Sequence, residues 1–300
     1  MHRESPFVTC PVYETRSFKL RLVRKEDAAG LLACYADKDA VGRMNADRCT
    51  SNFYYQTMEE MQDCIAFWLS EYEKKYYVRF AVLFKENGKA VGTMEIYPGE
   101  KSVLRLDLAS EFEQEEYVEE LLVNALDHWY FDFGIDVIVL KADNTPKRLP
   151  VYEKLGFRES DFRAGCGYLE RGQKKYFDVK KGIAFCGLAC CVCSENEMCS
   201  GCRGDTCICE ENCTIRPCCL QKGIEGCWEC EEFPCKEKMF DSVRIRAFGK
   251  YIEEYGMDLL MERLKKNEEA KMQYHHYGKL TGDYDGLENE TAVIALLHDR

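Results

Sequence analysis

Two closely spaced cysteine pairs in the last third of the chain have the spacing of a metal site. Cys190 and Cys193 are followed, after five intervening residues, by Cys199 and Cys202, so the sequence contains two CxxC knuckles. Each knuckle can place two thiolate sulfurs on one tetrahedral ion at about 2.3 Å. Because a closed four-sulfur site keeps no open coordination position, we predict a structural zinc ion that holds this segment folded.

Three further cysteines, Cys227, Cys230 and Cys235, predict a second ion of the same kind. Thiolates also suit iron–sulfur clusters, so a cluster or a set of redox-active thiols stands as the alternative to two zinc ions. The fourth ligand of the second ion is taken first as Cys218, and the other candidates are Cys219, Cys213 and Cys209.

The position of the cysteines along the chain also favours metal over disulfides. Fourteen of the nineteen fall within residues 186–235, and the scattered remainder are expected to be small buried hydrophobes. No signal-peptide core and no apolar stretch of about 20 residues is present, so we expect a cytoplasmic protein without a membrane span. In a reducing compartment, thiols stay reduced unless metal or catalysis uses them.

The charge of the chain argues against nucleic acid as a partner. Fifty-three acidic residues against 41 basic ones give a net charge of -12. A field of this sign repels polyanions, and residues 186–235 lack the basic surface that a nucleic-acid reader needs. We therefore expect neither nucleic acid nor a membrane as a partner. The cysteine-rich segment is instead a candidate surface for a protein partner.

The elements that would position these residues begin with a mixed sheet. Alternating apolar residues predict a strand at 18–24, and helical spacing follows at 25–37 and 56–72. Asn87-Gly88 predicts a hairpin between strands 77–84 and 90–97, with a third antiparallel strand at 103–109. A helix at 117–131 and a strand at 136–141 predict a parallel crossover.

A helix beginning at Pro146 and a closing hairpin of 162–169 with 175–179 complete the first domain. The predicted fold class is α/β (α+β), a mostly antiparallel mixed sheet flanked by helices, with domains at 1–180 and 181–300. The second domain is the metal-bound, cysteine-rich one. Its helical tail is predicted at 239–266, interrupted at Gly249 and Gly256, and at 291–298, and His275 is expected in a surface loop.

The first domain resembles the GCN5-related N-acetyltransferase (GNAT) superfamily. The resemblance is carried by the order of its elements, by residues 22–27 (LVRKED), by Asn144, and by residues 151–157 (VYEKLGF). Residues 37–43 (DKDAVGR) look like the branch that acetylates ribosomal-protein N-termini. The resemblance implies acetyl-CoA as cofactor and an amine substrate, either a small molecule or a protein.

In that family a loop after the central strand offers backbone amides at a helix N-terminus to the cofactor's diphosphate. Here Glu113, Glu116 and Val118 replace the residues that the family's pattern has at those points. At an effective dielectric near 20, each contact at ~4 Å between one of these acids and a diphosphate charge would cost roughly 4 kcal/mol. The alternative is that the acids only stabilise the first turn of the helix through its dipole. The implied cofactor-binding positions are Leu108, Ala109, Glu113, Gln114, Glu115, Glu116, Tyr117, Val118 and Asn144.

The resemblance also implies catalytic residues. Tyr152 matches the tyrosine that protonates the departing thiolate, a role that suits a phenol of pKa about 10 against a thiol of about 8.5. The base that accepts the amine proton is assigned to Glu95, with Asp107 or a water molecule as the alternative.

The second domain closely resembles an uncharacterised cysteine-rich family of microbial domains over about residues 183–265. That family is presumed to bind zinc and has no assigned activity. Two functions follow for the whole chain. One is an acetyl-CoA-dependent N-acetyltransferase with a structural zinc module. The other is a catalytically inactive GNAT-fold protein that senses a ligand, metal or redox state, or binds a partner.

Overall fold

The computed structural model describes residues 5–45, 52–142, 146–194, 199–207 and 213–298. The chain divides into two compact units between Gln173 and Lys174, a few residues before the boundary predicted at 180. Asn144 and Cys209, both named as site candidates above, lie outside the described residues. Within the described part of the chain, no helix has the length and apolar character that a membrane span requires.

The N-terminal unit contains one mixed sheet, as predicted. In the described residues its strands run in the order β1-β2-β3-β4-β5-β6-β8-β7. All neighbouring pairs are antiparallel except β5 and β6, which are parallel. The strands are β1 (Tyr13–Glu14), β2 (Phe18–Leu22), β3 (Val78–Phe84), β4 (Ala90–Tyr97), β5 (Ser102–Leu108), β6 (Val137–Lys141), β7 (Arg158–Glu159) and β8 (Tyr168–Gly172).

Helices cover both faces of this sheet, which explains why β3 is buried along nearly its whole length. Phe80 and Val82 pack in the core under α4, whereas Ala81 and Leu83 pack in the core under α1 and α3. This in–out alternation follows from the two-residue repeat of a strand. The helices of this unit are α1 (Ala28–Tyr35), α2 (Lys38–Met44), α3 (Met58–Glu73), α4 (Glu115–Phe133) and α5 (Leu149–Lys154).

Glycine allows α1 to lie directly on the sheet. A Cβ at Gly30 would be 2.4 Å from the carbonyl oxygen of Ala90 in β4, a distance that no side chain tolerates. The contact brings Tyr35, at the end of the same helix, over β4 and β5, where its hydroxyl reaches Thr93 and Asp107. The close approach of helix and strand therefore fixes a polar group above the centre of the sheet.

The C-terminal unit contains α6 (Ile215–Lys222), α7 (Val243–Tyr255), α8 (Met257–Glu269) and α9 (Glu290–His298). Arg244 of α7 is 3% exposed and holds the segment before α9. Its guanidinium donates to the Tyr274 carbonyl at 2.8 Å and pairs with Asp285 at 2.9 Å, and it lies 4.1 Å from the centre of the Tyr274 ring.

Three predictions about secondary structure are wrong. The strand predicted at 162–169 begins only at Tyr168 and continues to Gly172 as β8. Residues 175–179 form no strand, because the amides of Tyr176 and Phe177 donate to Glu268 of α8 at 2.6 and 3.1 Å instead of pairing with β8. Gly249 does not interrupt α7. Glycine is needed there because a Cβ would lie 2.4 Å from the ring of Phe233.

Candidate functional site

The sheet of the N-terminal unit opens where its two parallel strands separate. Within the described residues, β5 pairs with β6 through Ser102, Val103 and Leu104, whereas β5 pairs with β4 along its length to Leu108. In this described part of the chain, the β5 backbone beyond Leu104 makes no ladder pair with β6. A cavity of about 60 Å³ forms at this opening, with walls from β5, β6, α2, α4, α5 and β8.

An ion pair closes much of this opening. Arg148, immediately before α5, donates from Nε to Glu113 Oε2 at 2.9 Å and from Nη2 to the other oxygen of the same carboxylate. Its Nη1 donates to the Leu106 carbonyl on the unpaired edge of β5 at 2.8 Å. Burial lowers the pKa of the Arg148 guanidinium, but the Tyr152 and Glu113 side chains beside it outweigh burial and raise it. Arg148 is therefore a permanent buried cation.

A second arginine reaches the same carboxylate from α2. Arg43 Nε lies 3.3 Å from Glu113 Oε1, and its Nη2 donates to the Leu108 carbonyl at 3.4 Å. The start of α2 is tied to the same loop, because Asp37 caps the helix and accepts from the Ser110 amide at 2.9 Å. Burial raises the pKa of Asp37, but the hydrogen bonds from Ser110 and nearby amides bring it below its ordinary value.

Tyr152 lines the cavity, as expected of the proton donor proposed from the sequence. Its side chain is 3% exposed, and its ring lies 6.0 Å from that of Phe157, between centroids. Tyr152 belongs to α5, and Pro150 lies in the first turn of that helix. The sequence thus places a buried phenol at the wall of the opening.

Asp107 is the carboxylate of β5 that lines the cavity. It accepts hydrogen bonds from Tyr35 at 3.0 Å and from Arg105 at 2.8 Å. Arg79, 3.7 Å away, joins it to Glu95 of β4. Burial is the main cause that raises the pKa of Tyr35 well above its ordinary value, and the charge of Asp107 adds to it.

The two predicted bases thus lie in different surroundings. Glu95 is not among the residues that line the cavity, and its carboxylate is paired with Arg79. Asp107, the alternative base, does line it. The assignment of the base to Glu95 stays a prediction, and the geometry favours Asp107.

The predicted diphosphate positions are spread over three environments. Leu108 and Glu113 line the cavity, and Ala109 packs partly buried against the core. Gln114, Glu115 and Glu116 are exposed. Tyr117 packs edge-on against Phe18, and Val118 is buried in the core.

Sequence reasoning missed Arg43 and Arg148. Glu113 could have indicated such partners, because a carboxylate that is buried at a ligand site needs a cation beside it. The sequence offered Lys147, Arg148 and several other cations near this loop. Only the fold shows which of them reach it.

In the C-terminal unit, two of the cysteine motifs share one local geometry. Residues 190–192 and 227–229 each form a short 3₁₀ turn. In each motif the amide of the second cysteine donates to the carbonyl of the first, at 3.1 Å from Cys193 to Cys190 and at 3.0 Å from Cys230 to Cys227. Such turns bring both sulfurs of a CxxC motif to one side, as a metal knuckle requires.

The four thiols of the first predicted ligand set influence one another electrostatically, and the assignment of a metal to them stays a prediction. Burial raises the pKa of the Cys190 thiol to about 12, and the neighbouring Cys202, Cys193 and Cys199 thiols add to this rise. Gly201 permits the turn between Cys199 and Cys202, with φ of +89° and a close contact to Lys181.

The second set favours Cys219 over Cys218 as fourth member. Cys219 Sγ lies 3.6 Å from Cys227 Sγ, whereas Cys218 is exposed. Two sulfurs on one tetrahedral zinc would be about 3.8 Å apart at the usual bond length. Trp228, which follows Cys227, is 6% exposed, and Arg203 lies 5.8 Å from its ring centre. Among the residues that the structure describes, however, no three potential ligands converge as a formed metal site.

The expectation of a surface loop at His275 is wrong. The side chain is buried, with 7% of the residue exposed, and its Nδ1 lies 4.0 Å from Cys193 Sγ. Burial lowers the pKa of His275 to about 4, so the ring is neutral at neutral pH. The ring of His275 packs at a tilt against that of Tyr274, with 4.6 Å between centroids, which helps to hold it inside.

A family model decides the identity of the N-terminal unit. Residues 18–158 match the acetyltransferase (GNAT) domain. This chain carries a GNAT domain. The match covers β2 to the start of β7, and therefore the opening between β5 and β6 with its ion pair. The resemblance inferred from sequence is confirmed for this part of the chain.

Several solved structures that are similar to this chain are acetyltransferases, and the alignment covers most of the length of each of them. A GNAT-family acetyltransferase from Bacillus anthracis has 13% identity and a TM-score of 0.43, over 54% of this chain and 99% of its own. A ribosomal-protein-S5-alanine acetyltransferase from Vibrio fischeri has 15% identity and a TM-score of 0.44, over 55% of this chain and 97% of its own. RimJ from Mycobacterium smegmatis, in complex with CoA-disulfide, has 20% identity and a TM-score of 0.43, over 53% of this chain and 84% of its own. TM-scores of this size carry no argument about the substrate of the GNAT domain.

Outside the GNAT domain, residues 193–239 match a family described as a protein of unknown function (DUF3795). The match is consistent with a separate C-terminal domain. No curated protein matches the chain significantly.

Proposed function

We propose that the GNAT domain is an acetyl-CoA-dependent N-acetyltransferase and that the opening between β5 and β6 is its reaction centre. The observation that carries the proposal is the separation of the two strands after Leu104, which exposes a strand edge beside a phenol and a carboxylate. The substrate is an amine of a small molecule or a protein. The C-terminal unit, in this proposal, is a zinc-stabilised module for partner binding.

The residues around the opening fit the chemistry of the cofactor. Arg43 and Arg148 supply two guanidinium groups next to the cavity, which suit a diphosphate. The carbonyls of Leu106 and Leu108 on the unpaired edge of β5 accept from these arginines and are equally able to accept from the amides of an extended ligand. At about 60 Å³, the cavity is below the ~300 Å³ of a typical ligand pocket, so the ion pair must part first.

Two residues of the chain would handle protons in this reaction. Bound acetyl-CoA supplies an acyl group activated as a thioester. Asp107, a carboxylate that lines the cavity, accepts the proton of the reacting amine directly or through water. Tyr152, which also lines the cavity, donates its hydroxyl proton to the departing sulfur.

The first test is titration calorimetry of acetyl-CoA into the full-length protein, followed by a panel of amines assayed for thiol release. Binding at micromolar strength together with amine-dependent thiol release supports the proposal. No binding at millimolar acetyl-CoA contradicts it. A second function then remains, favoured by the closed Glu113–Arg148 pair and the acids at the diphosphate positions. It is a non-catalytic GNAT-fold protein that senses a ligand, metal or redox state.

Tyr152→Phe provides the residue-level test of the same proposal. The ring packing against Phe157 is kept while the proton is lost, so we expect kcat to fall about 10²–10⁴-fold with little change in KM. Steady-state kinetics of thiol release measures both. Equal kcat for the two proteins would show that Tyr152 only packs, and an unchanged thermal midpoint would exclude misfolding.

A further inference from the structure

Glu113 and its two arginines form an unusual charge arrangement in the opening of the sheet. The carboxylate is 8% exposed and is shared by Arg148, also 8% exposed, and Arg43, 24% exposed. Two cations therefore converge on one anion. The group of three keeps a net charge of +1 in a place from which water is largely excluded.

The contacts of the arginines show that they are held in place by more than the carboxylate. Arg148 also donates to the Leu106 carbonyl, and Arg43 donates to the Leu108 carbonyl and to Ser110 Oγ at 3.3 Å. Both guanidinium groups would therefore stay near the strand edge if Glu113 moved away. Glu113 lies between the short 3₁₀ turn at 110–112 and the first turn of α4, so turning its side chain away would break neither element.

We infer that Glu113 is an internal counter-ion that occupies an anion site built by Arg43 and Arg148, and that a phosphate or diphosphate group of a ligand displaces it. Planar guanidinium groups in pairs are suited to phosphate oxygens. The inference rests on the proposed function only in that both use the same opening. It concerns binding and does not require acyl transfer.

The class of ligand follows from competition with Glu113. A monocarboxylate from solution would replace an identical group that the chain already holds at high local concentration, so it gains nothing. A diphosphate brings more than one negative charge and can engage both arginines at once. Its extra charge offsets the loss of the internal ion pair.

The test is calorimetric titration of inorganic pyrophosphate and of coenzyme A into wild-type protein and Glu113→Gln, with acetate as the monocarboxylate probe. We expect Glu113→Gln to bind both phosphate ligands about tenfold more tightly or better, a change of about 1.4 kcal/mol. Acetate should not bind wild-type protein measurably, because Glu113 already occupies the site. Glu111→Gln is the matched control, because Glu111 is exposed in the same loop and carries the same charge. Its affinities should equal those of wild type.

Equal gains in Glu113→Gln and Glu111→Gln would mean that only the overall field changed, and would overturn the inference. Weaker binding by Glu113→Gln would also overturn it. If Glu113→Gln fails to fold because Arg148 is left unpaired, the double variant Glu113→Gln/Arg148→Gln removes both charges. That variant should lose phosphate binding, and retention of binding at the wild-type level would contradict the role of Arg148.

The two proposals fail separately in this design. Tighter phosphate binding without any amine acetylation would leave the anion site standing and reject the transferase. Acetylation by wild-type protein, together with the same phosphate affinity in wild type and Glu113→Gln, would support the transferase and reject the anion site.

Discussion

Arg79 is the residue on which the buried polar network of the GNAT domain depends. It is 4% exposed and pairs with Glu95, while its Nη1 lies 3.2 Å from the Tyr35 hydroxyl and 3.7 Å from Asp107. Its guanidinium also lies 4.2 Å from the centre of the Trp68 ring. One cation thereby contacts carboxylates on two neighbouring strands, among them the one that lines the cavity, which Arg105 also pairs with.

Replacing Arg79 with methionine should destabilise the GNAT domain by about 3–5 kcal/mol, because Glu95 and Asp107 lose a shared buried partner. Urea denaturation gives the free energy of unfolding. Lys74→Met is the control, since Lys74 pairs with Glu71 at 2.7 Å on the surface and its loss should leave the free energy of unfolding nearly unchanged. Similar losses in the two variants would show that the buried network is not special.

At the scale of single side chains, the sequence could indicate candidate residues but not their partners. Tyr152 is a candidate because its neighbours resemble a family motif; it lines the cavity, and its role as proton donor stays a prediction. Glu113 was expected to face a ligand and instead faces Arg148 and Arg43. Arg148 is 35 positions and Arg43 is 70 positions away from Glu113 in the sequence. Ion pairs over such separations depend on the packing of whole elements, which no local pattern encodes.

Helix α1 illustrates how an element positions the site through one residue. Gly30 lets the helix rest on the backbone of Ala90, and the same helix carries Tyr35 into the polar network. Helix propensity alone would favour alanine over glycine by about 1 kcal/mol. The packing of α1 on β4 therefore requires glycine at position 30, although helix propensity alone favours alanine there.

We expect Gly30→Ala to destabilise the GNAT domain by about 1–3 kcal/mol, because the new methyl group would overlap the Ala90 carbonyl. Gly42→Ala in α2 is the matched control. Among the described residues, no atom beyond its chain neighbours and its own helix backbone lies within 4 Å of its would-be Cβ, so Gly42→Ala should stabilise by about 0.5–1 kcal/mol. Thermal and urea denaturation of both variants test this. Changes of the same sign would contradict the close contact of α1 with β4.

Helix α8 makes a second element-level prediction through Glu268. Burial raises the pKa of this carboxyl, although the amides of Tyr176 and Phe177 act against the rise. A folded state with the higher pKa binds more protons, so its stability falls as pH rises from about 4.5 through the folded pKa. We expect the stability of wild type relative to Glu268→Gln to fall over this range.

The measurement is the difference in urea midpoint of the C-terminal unit between the two proteins, taken from pH 4 to pH 8. Glu262→Gln is the control, since its pKa is lowered by the hydrogen bond and charge of Lys266 at the surface. Its difference from wild type should not fall with rising pH. A constant difference for Glu268→Gln would contradict the raised pKa.

At the scale of the whole molecule, an acidic chain joins a GNAT domain to a cysteine-rich unit. The mixed sheet was predictable because hairpin signals such as Asn87-Gly88 are local, and β3 and β4 lie where they were expected. The short helices α2 and α6 were missed, because few apolar residues mark them. The boundary at Gln173 could not be placed, because Glu268, far away in sequence, binds the segment that follows it.

For the whole chain we predict two zinc ions and no iron in elemental analysis of the purified protein. A chelator should then unfold the C-terminal unit and leave the GNAT domain folded, since metal binding there supplies folding free energy. Cys199→Ser should lose one zinc, because Cys199 belongs to the first knuckle set. Cys166→Ser should lose none, because Cys166 is exposed in the N-terminal unit. Iron, colour or a metal-free folded protein would reject zinc.

The place of Trp228 gives the molecule an optical probe of its own. Of the three tryptophans, Trp68 and Trp129 lie in the GNAT domain and Trp228 alone lies in the C-terminal unit, buried directly beside Cys227. With Trp68 and Trp129 replaced by phenylalanine, all indole emission would originate next to the second cysteine set. Fluorescence would then follow the state of those thiols without any added label.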